Sequence, residues 1–457
     1  MTTSTKQFSP EPAPSAGQVF SLAWPMTLKA ILLHGTVVID AYLVASLGET
    51  ALAGLGLAAA VAGLALGAIY AFSSAVQIRA AQAAGTKDIV FRKSVLVAGL
   101  AVSLGLGTLG LTLIWTLGWG LMELLAPNDA VLALAWNYLS VFSLVILGEA
   151  IGQVLSSHFN GSGRTRIPLY SFCLSVPVNI TTSVVLIHGL FGAPALGVVG
   201  AAVGSAIAIW VQVTFLGGGL WVQDKALLAA KGWRNITFAG TIRRHVTFAL
   251  PIAATFFSAS LAGNVSQMFY ARMPLNAFAA LTLIAPWIMV VGTISMQWTQ
   301  ATGIFVAQLL GQRTSEPTLD RFLSIAWRGA LVTAVIGAAL FAIICLSAKV
   351  IYDDLTSETQ AILLSFLPVL LILPFFKASN AICGNTLRAS GDTVHVMKIF
   401  LTSQWGFRVP ATTLAVFYFE LSPAWVISLL LVEELVKFPM FHRRLWRGDW
   451  KRADVAV

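Results

Sequence analysis

Twelve apolar runs follow one another from about residue 20 to residue 442, each able to supply the roughly 20 residues that a membrane-spanning helix needs. That succession limits the fold more than any other feature of the chain. Hydrophobic residues make up 57% of the sequence and charged residues only 10%, whereas soluble domains carry about a quarter charged residues. No soluble core could hide so much apolar surface, so lipid must be the solvent. The expected fold class is all-α: a polytopic membrane protein with twelve transmembrane helices. The second and eighth runs, near 51–83 and 277–310, are longer than a span requires and are expected to tilt or to extend beyond the bilayer.

The net charge is +9. The charges sit in short clusters between apolar runs, a pattern of membrane orientation rather than of nucleic-acid binding. With the N-terminus inside, most of the 28 Lys and Arg fall on inner segments, from Lys6 through Arg79, Lys87, Arg92, Lys93, Arg164 and Arg166 to Arg234, Arg244, Arg443 and Arg452. The outer loops hold mainly Glu49, Glu123, Asp129, Asp353, Asp354, Glu358 and Glu420. Both termini are therefore expected in the cytoplasm. Residues 1–18, rich in Pro, Ser and Thr, lack the basic start and cleavage site of a signal peptide and read as a disordered tail. Cys173, Cys345 and Cys383 lie in apolar segments without metal-ligand spacing and read as small buried hydrophobes.

The chain repeats itself. Thr50–Leu55 aligns with Asn276–Leu281, and Ala81-Gln82 with Ala307-Gln308, both at an offset of 226. Gly161–Thr165 aligns with Ala389–Thr393 at an offset of 228. Six helices thus recur in the same orientation, as in transporters built from parallel repeats. The expected organisation is a tail over 1–18, a first six-helix lobe over 19–221, a linker over 222–244, a second lobe over 245–442 and a basic tail over 443–457. A pseudo-twofold axis relates the lobes. Glycines in two helices, Gly54, Gly56, Gly63 and Gly67 in one and Gly197, Gly200 and Gly204 in another, are expected to let helix backbones approach closely.

Asp40 is the carboxylate within the first apolar run, near 20–46. A charge at membrane depth costs about 2.5–3.5 kcal/mol on insertion scales, so it is retained for a partner or a function. Burial favours the protonated form, which suits proton exchange. Asn179, Ser183 and Ser205 supply neutral oxygens that either a proton or Na+ could use. The two loops at Gly161 and Ala389 lack a P-loop, and no His or Cys pattern suggests a metal or an enzyme nucleophile. Neither a cofactor nor enzymatic activity is expected.

With these residues in place, the chain resembles the multidrug and toxic compound extrusion (MATE) family. The resemblance rests on Pro25, Asp40 and Leu47-Gly48 in the first helix. It continues through Gly161, Gly163, Thr165, Pro168, Asn179, Gly197, Gly200, Ala201 and Ala202. In the second half, Leu387–Thr393 and the exit Arg444, Trp446, Gly448, Trp450 look like family motifs. The resemblance implies two six-helix lobes and exchange of H+, or less readily Na+, for an amphipathic organic compound. In it, Asp40 is the ion-coupling carboxylate and Asn179 its support. Ser183 stands where family members place a second acid, and Lys377 where one branch places an Asp. The expected protein is a monomeric antiporter of drugs and metabolites in the bacterial inner membrane. The alternative is a flippase of lipid-linked or polymeric substrates.

Two further charges hold equivalent places in the repeat, Glu149 in the fourth helix and Lys377 in the tenth. They are expected to line the substrate cleft and to meet as a gate in one conformation, with Glu149 otherwise satisfied by Asn137 or Gln153. Lys377 would disfavour purely cationic substrates. In the last helix, Glu433 and Lys437 are four residues apart and positioned to pair.

Overall fold

The computed structural model describes residues 12–233, 237–352, 355–453 and 455. Lys6, Arg234, Asp353 and Asp354 lie outside the described residues, as do most of the expected N-terminal tail and the last residues of the C-terminal one.

Every expected run is helical. The helices are α1 (Ala16–Ala45), α2 (Glu49–Thr86), α3 (Ile89–Leu125), α4 (Asp129–Gly161), α5 (Arg166–His188) and α6 (Val198–Gln223). After a short turn of helix at Lys225–Ala229 come α7 (Phe238–Tyr270), α8 (Leu275–Gly311), α9 (Glu316–Ile351) and α10 (Ser357–Ala389). Next is α11, which runs as Thr393–Ser403, Gln404–Arg408, Val409–Thr413 and Leu414–Tyr418, and then α12 (Pro423–Trp446). Among the described residues, ten helices, α1 to α10, have the length and apolarity to cross a membrane. The last two expected runs are helical as well, as α11 and α12, so all twelve expected helices form among the described residues. The α11 helix is broken by π turns at Gln404–Arg408 and Leu414–Tyr418, and α12 carries Glu433, Glu434 and Lys437 in its middle. As expected, α2 and α8 are longer than a span needs, at 38 and 37 residues; α3 is also 37 residues long.

Continuous helix satisfies the backbone internally, and the ends are closed by side chains. Asp88 accepts from the Phe91 N–H at 3.0 Å, Asn128 from Val131 at 2.9 Å and Thr356 from Thr359 at 3.2 Å. Asn128 and Thr356 cap α4 and α10 at the repeat offset of 228. The repeat extends to backbone conformation. Lys87 after α2 and Arg313 after α8 both adopt left-handed φ, 57° and 54°, 226 residues apart. After α4 the Arg164 N–H donates to Phe159, and after α10 the Asp392 N–H donates to Leu387, the same wrap 228 residues on. Pro25 inside α1 and Pro251 inside α7 also stand 226 apart, each removing one helix hydrogen bond from its helix.

The chain divides into two compact units. One runs from Trp24 to Ser260; the other takes in everything from Leu261 on, with the residues up to Ala23. The division falls inside α1 and α7 rather than in the basic loop near 222–244. In the N-terminal unit, one core cluster joins Val44, Ala58, Leu139, Ile146 and Ala202. A second gathers Val76, Phe91, Val154, Phe159 and Leu216. The C-terminal unit has its own core around Ala280, Ile284, Phe341, Leu363, Phe366, Leu370 and Val426.

Two sequence expectations about packing are corrected. Cys345 and Cys383 are buried, but Cys173 is exposed. Of the α2 glycines, Gly54 meets Leu134 and Ala135 of α4, whereas Gly56, Gly63 and Gly67 have open space where a side chain would go. In a chain apolar all round, a small residue facing lipid looks the same as one facing a helix.

Candidate functional site

Asp40 sits half-buried near the end of α1. Asn179 Nδ2 on α5 donates to Ser205 Oγ on α6 at 3.0 Å. The Ser205 hydroxyl lies beside the Asp40 carboxyl, and Tyr138 of α4 is near enough to feel its charge. Ser183, four residues after Asn179, is fully buried. Three buried oxygens of this group have no hydrogen-bond partner: Asp40 Oδ1, Asn179 Oδ1 and Ser183 Oγ. Leaving such atoms unmatched costs about 1–3 kcal/mol each. A proton on Asp40 or a small hard cation is what this donor set would accept.

The close approach of α5 and α6 makes the group possible. A methyl added at Gly200 would lie 2.6 Å from the Leu186 backbone carbon, and one at Gly204 would run into the Ser183 hydroxyl. Bare backbone at these two positions lets Asn179 reach Ser205. Gly197 has a φ of 56°, a left-handed conformation that suits the chain's turn into α6. The equivalent of Asp40 in the repeat is Ser266, whose hydroxyl is spent on the Ala262 carbonyl of its own helix. The carboxylate is thus a feature of the N-terminal unit.

Glu149 finds partners within its own unit. Gln153 Nε2 donates to its carboxylate at 2.8 Å, the Tyr70 hydroxyl of α2 lies beside it, and Lys29 of α1 supplies the counter-charge. The Lys29 ammonium lies 4.9 Å from the centre of the Phe172 ring. Of the two partners expected from sequence, Gln153 is the one used.

Lys377 belongs to a network in the C-terminal unit. Glu433 pairs with Lys437 at 2.7 Å, as its four-residue spacing suggests, and with Arg408 at 3.5 Å. Glu434 pairs with Lys437 at 3.0 Å and accepts from Asn380 Nδ2 at 2.8 Å. Tyr270 accepts a hydrogen bond from Arg408. Glu434 is the strongest attraction on Lys377. Such a set of buried charges holds together because each ion has a partner; removing one partner of a buried pair costs about 3–5 kcal/mol.

A family model described as MatE matches residues 25–185 and 251–414, one stretch in each half of the repeat. The chain belongs to the MatE family. Its two matched stretches begin at Pro25 and Pro251, the prolines at the repeat offset. A protein named as a probable multidrug resistance protein NorM, from Thermotoga maritima, is 28% identical over 70% of this chain and 68% of its own length. A crystal structure of a MATE protein in a bent conformation superposes with a TM-score of 0.84 at 18% identity, covering 97% of this chain and 98% of that one. A Pyrococcus furiosus transporter of the MOP superfamily, described as having a binding pocket of reversed polarity, superposes at 0.80 with 18% identity over 95% and 97%. These likenesses establish the MATE fold. The protein is an integral membrane transporter and not an enzyme.

Sequence reasoning on this MatE-family chain singled out Asn179 and Ser205, which the structure joins, and the Glu433–Lys437 pair. It missed Lys29, Tyr70, Asn380, Arg408 and Glu434. The signal for the charged ones was present: Lys29, Arg408 and Glu434 each interrupt an apolar run.

It also missed a latch where the basic segments converge. Asp224, at the end of α6, is 6% exposed and holds Arg92 at 3.1 Å and Arg164 at 2.9 Å, with His158 Nε2 3.6 Å away. Lys93 donates to the Ala230 carbonyl and lies 5.0 Å from the Trp233 ring. Three segments expected on one face of the membrane are therefore tied together. Burial by itself would raise the Asp224 pKa. The approach of His158, Arg92 and Arg164 outweighs it and holds the carboxyl at about 2. A free Asp titrates near 3.9, so the latch is at full strength above about pH 4 and is lost as pH falls toward 2. Arg164 is partly exposed, which discounts the pair. Asp224→Asn is expected to destabilise the protein by about 2 kcal/mol at neutral pH. In thermal melts of wild type and variant, the gap in melting temperature should close between pH 4 and pH 2; a gap that persists at pH 2 rules the latch out.

Proposed function

We propose that this MatE-family transporter exports small amphipathic organic compounds across the bacterial inner membrane. An inward-moving cation drives it, H+ ahead of Na+. The single observation that carries the reading is the grouping of Asp40 beside Ser205, which Asn179 holds by a hydrogen bond, with unmatched buried oxygens on Asp40 and Asn179. One carboxylate with neutral neighbours can take and release a proton; an Na+ site would need several oxygens held at once around the ion. Protonated and ionised Asp40 favour different arrangements of α1 against α5 and α6, and substrate binds one of them better. The name of the Thermotoga maritima relative supports drugs as substrates, and the family match in both halves favours export over lipid flipping. In this reading the protein works as a monomer. Its basic segments, with both termini, face the cytoplasm, and Glu149 and Lys377 border the substrate path.

The test uses proteoliposomes loaded with a fluorescent zwitterionic amphipath. A pH gradient imposed without Na+ is expected to drive dye movement, and collapsing it with a protonophore to stop it. Movement that requires an Na+ gradient at fixed pH would overturn the proton assignment and leave Asp40 as an Na+ ligand.

A further inference from the structure

The network of the C-terminal unit contains three cations and two carboxylates. Both carboxylates are already committed: Glu433 to Lys437 and Arg408, Glu434 to Lys437 and Asn380. Glu433 and Lys437 are 3% and 4% exposed. Lys377 is exposed, and among the described residues no carboxylate lies within ion-pair distance of its ammonium. It comes from α10, whereas the four committed charges come from α11 and α12. On the α8 side its Nζ faces Gly292, lying 3.5 Å from where a side-chain carbon there would stand. Backbone without a side chain leaves the ammonium uncovered in that direction.

Lys377 stands twelve residues before the end of α10, within the apolar span. An exposed cation at that depth is retained where it meets water or a ligand rather than lipid tails. The neighbouring charges keep it in place. Glu434 and Glu433 attract it, while Lys437 and Arg408 repel it.

We propose that Lys377 is a substrate-binding cation of the C-terminal unit and that the transported compounds carry a carboxylate. The uncommitted ammonium supplies the counter-charge, and Asn380 with Glu434 holds the face of α10 from which it projects. The class includes anionic and zwitterionic amphipaths; compounds bearing only positive charge lack the group that Lys377 would bind. This inference rests on the export reading above, so its test measures binding, which needs no gradient.

Full-length protein in detergent is titrated against two xanthene dyes, carboxyfluorescein and the esterified cation rhodamine 6G, by fluorescence polarisation. Lys377→Gln is expected to weaken carboxyfluorescein binding by about tenfold and to leave rhodamine 6G unchanged or tighter. Lys377→Arg should keep carboxyfluorescein affinity. Glu434→Gln, which removes the main counter-charge, should strengthen it; this variant and Lys377→Arg decide the matter if Lys377→Gln does not fold. Equal loss of both dyes in Lys377→Gln, no carboxyfluorescein binding by wild type, or no gain in Glu434→Gln overturns the proposal. If carboxyfluorescein binding depends on Lys377 but no dye moves in proteoliposomes, the export reading falls and the carboxylate site stands.

Discussion

Asp40→Asn is expected to abolish gradient-driven export while the protein remains folded. The substitution keeps the volume and polarity of the side chain beside Ser205, but removes the only group of the cluster that can exchange a proton. It also removes a half-buried charge that has an unmatched oxygen, so folding stability should be unchanged or slightly higher. The two effects therefore separate cleanly. If proton and substrate are coupled by about 1–3 kcal/mol, the shift in substrate affinity between high and low pH is about 5–150-fold in wild type. In the variant that shift should vanish, because linkage requires a titrating group on both sides of the exchange. Dye movement in proteoliposomes should fall to the protein-free rate, with a melting temperature no lower than wild type. Wild-type rates in the variant under a pH gradient would remove Asp40 from the mechanism. Asn179→Leu is the graded companion: Ser205 loses its donor, and transport is expected to weaken without disappearing.

The second large effect is structural. Gly200→Val should prevent α5 and α6 from closing, because the atoms a side chain would meet are backbone atoms: the Leu186 carbon at 2.6 Å, the Ile187 nitrogen at 2.7 Å and the Leu186 oxygen at 2.8 Å. A side chain can rotate away from a clash, but backbone inside a helix cannot. Overpacking in a tight core costs about 1–3 kcal/mol, and a clash with fixed backbone lies at or above the top of that range. Separation of the helices would also stretch the Asn179–Ser205 hydrogen bond, so transport should be lost along with stability. Gly56→Val is the control. Nothing lies within 4 Å of a side-chain carbon at Gly56, and the variant should accumulate and melt like wild type. Membrane yield and thermal melts check both; equal behaviour of the two variants would mean that the close approach of α5 and α6 is not needed.

These two variants mark how far the sequence can be read. Glycines in α2 and in α6 look alike in the chain, yet only some of them meet a neighbouring helix. The reason is the solvent. In water a helix shows its packed face as an apolar stripe, whereas in lipid both the neighbouring helix and the surroundings are apolar, and helices associate through packing and polar contacts. The stripe disappears, and with it the means to tell Gly54 from Gly56, or exposed Cys173 from buried Cys345. Charged residues do not suffer this ambiguity. Their cost in lipid makes each one conspicuous, and so Asp40, Glu149, Lys377 and the Glu433–Lys437 pair could be singled out from the chain. The helical succession and the tandem repeat were equally legible, down to the matched turns after α4 and α10, because apolar run length and local turn residues act within a few residues of one another. Tertiary structure decided which charges meet. Arg92 and Asp224 are 132 residues apart and Asn380 and Glu434 are 54 apart. No local pattern encodes such pairings, because they depend on which helix faces come together once burial makes every unpaired charge costly.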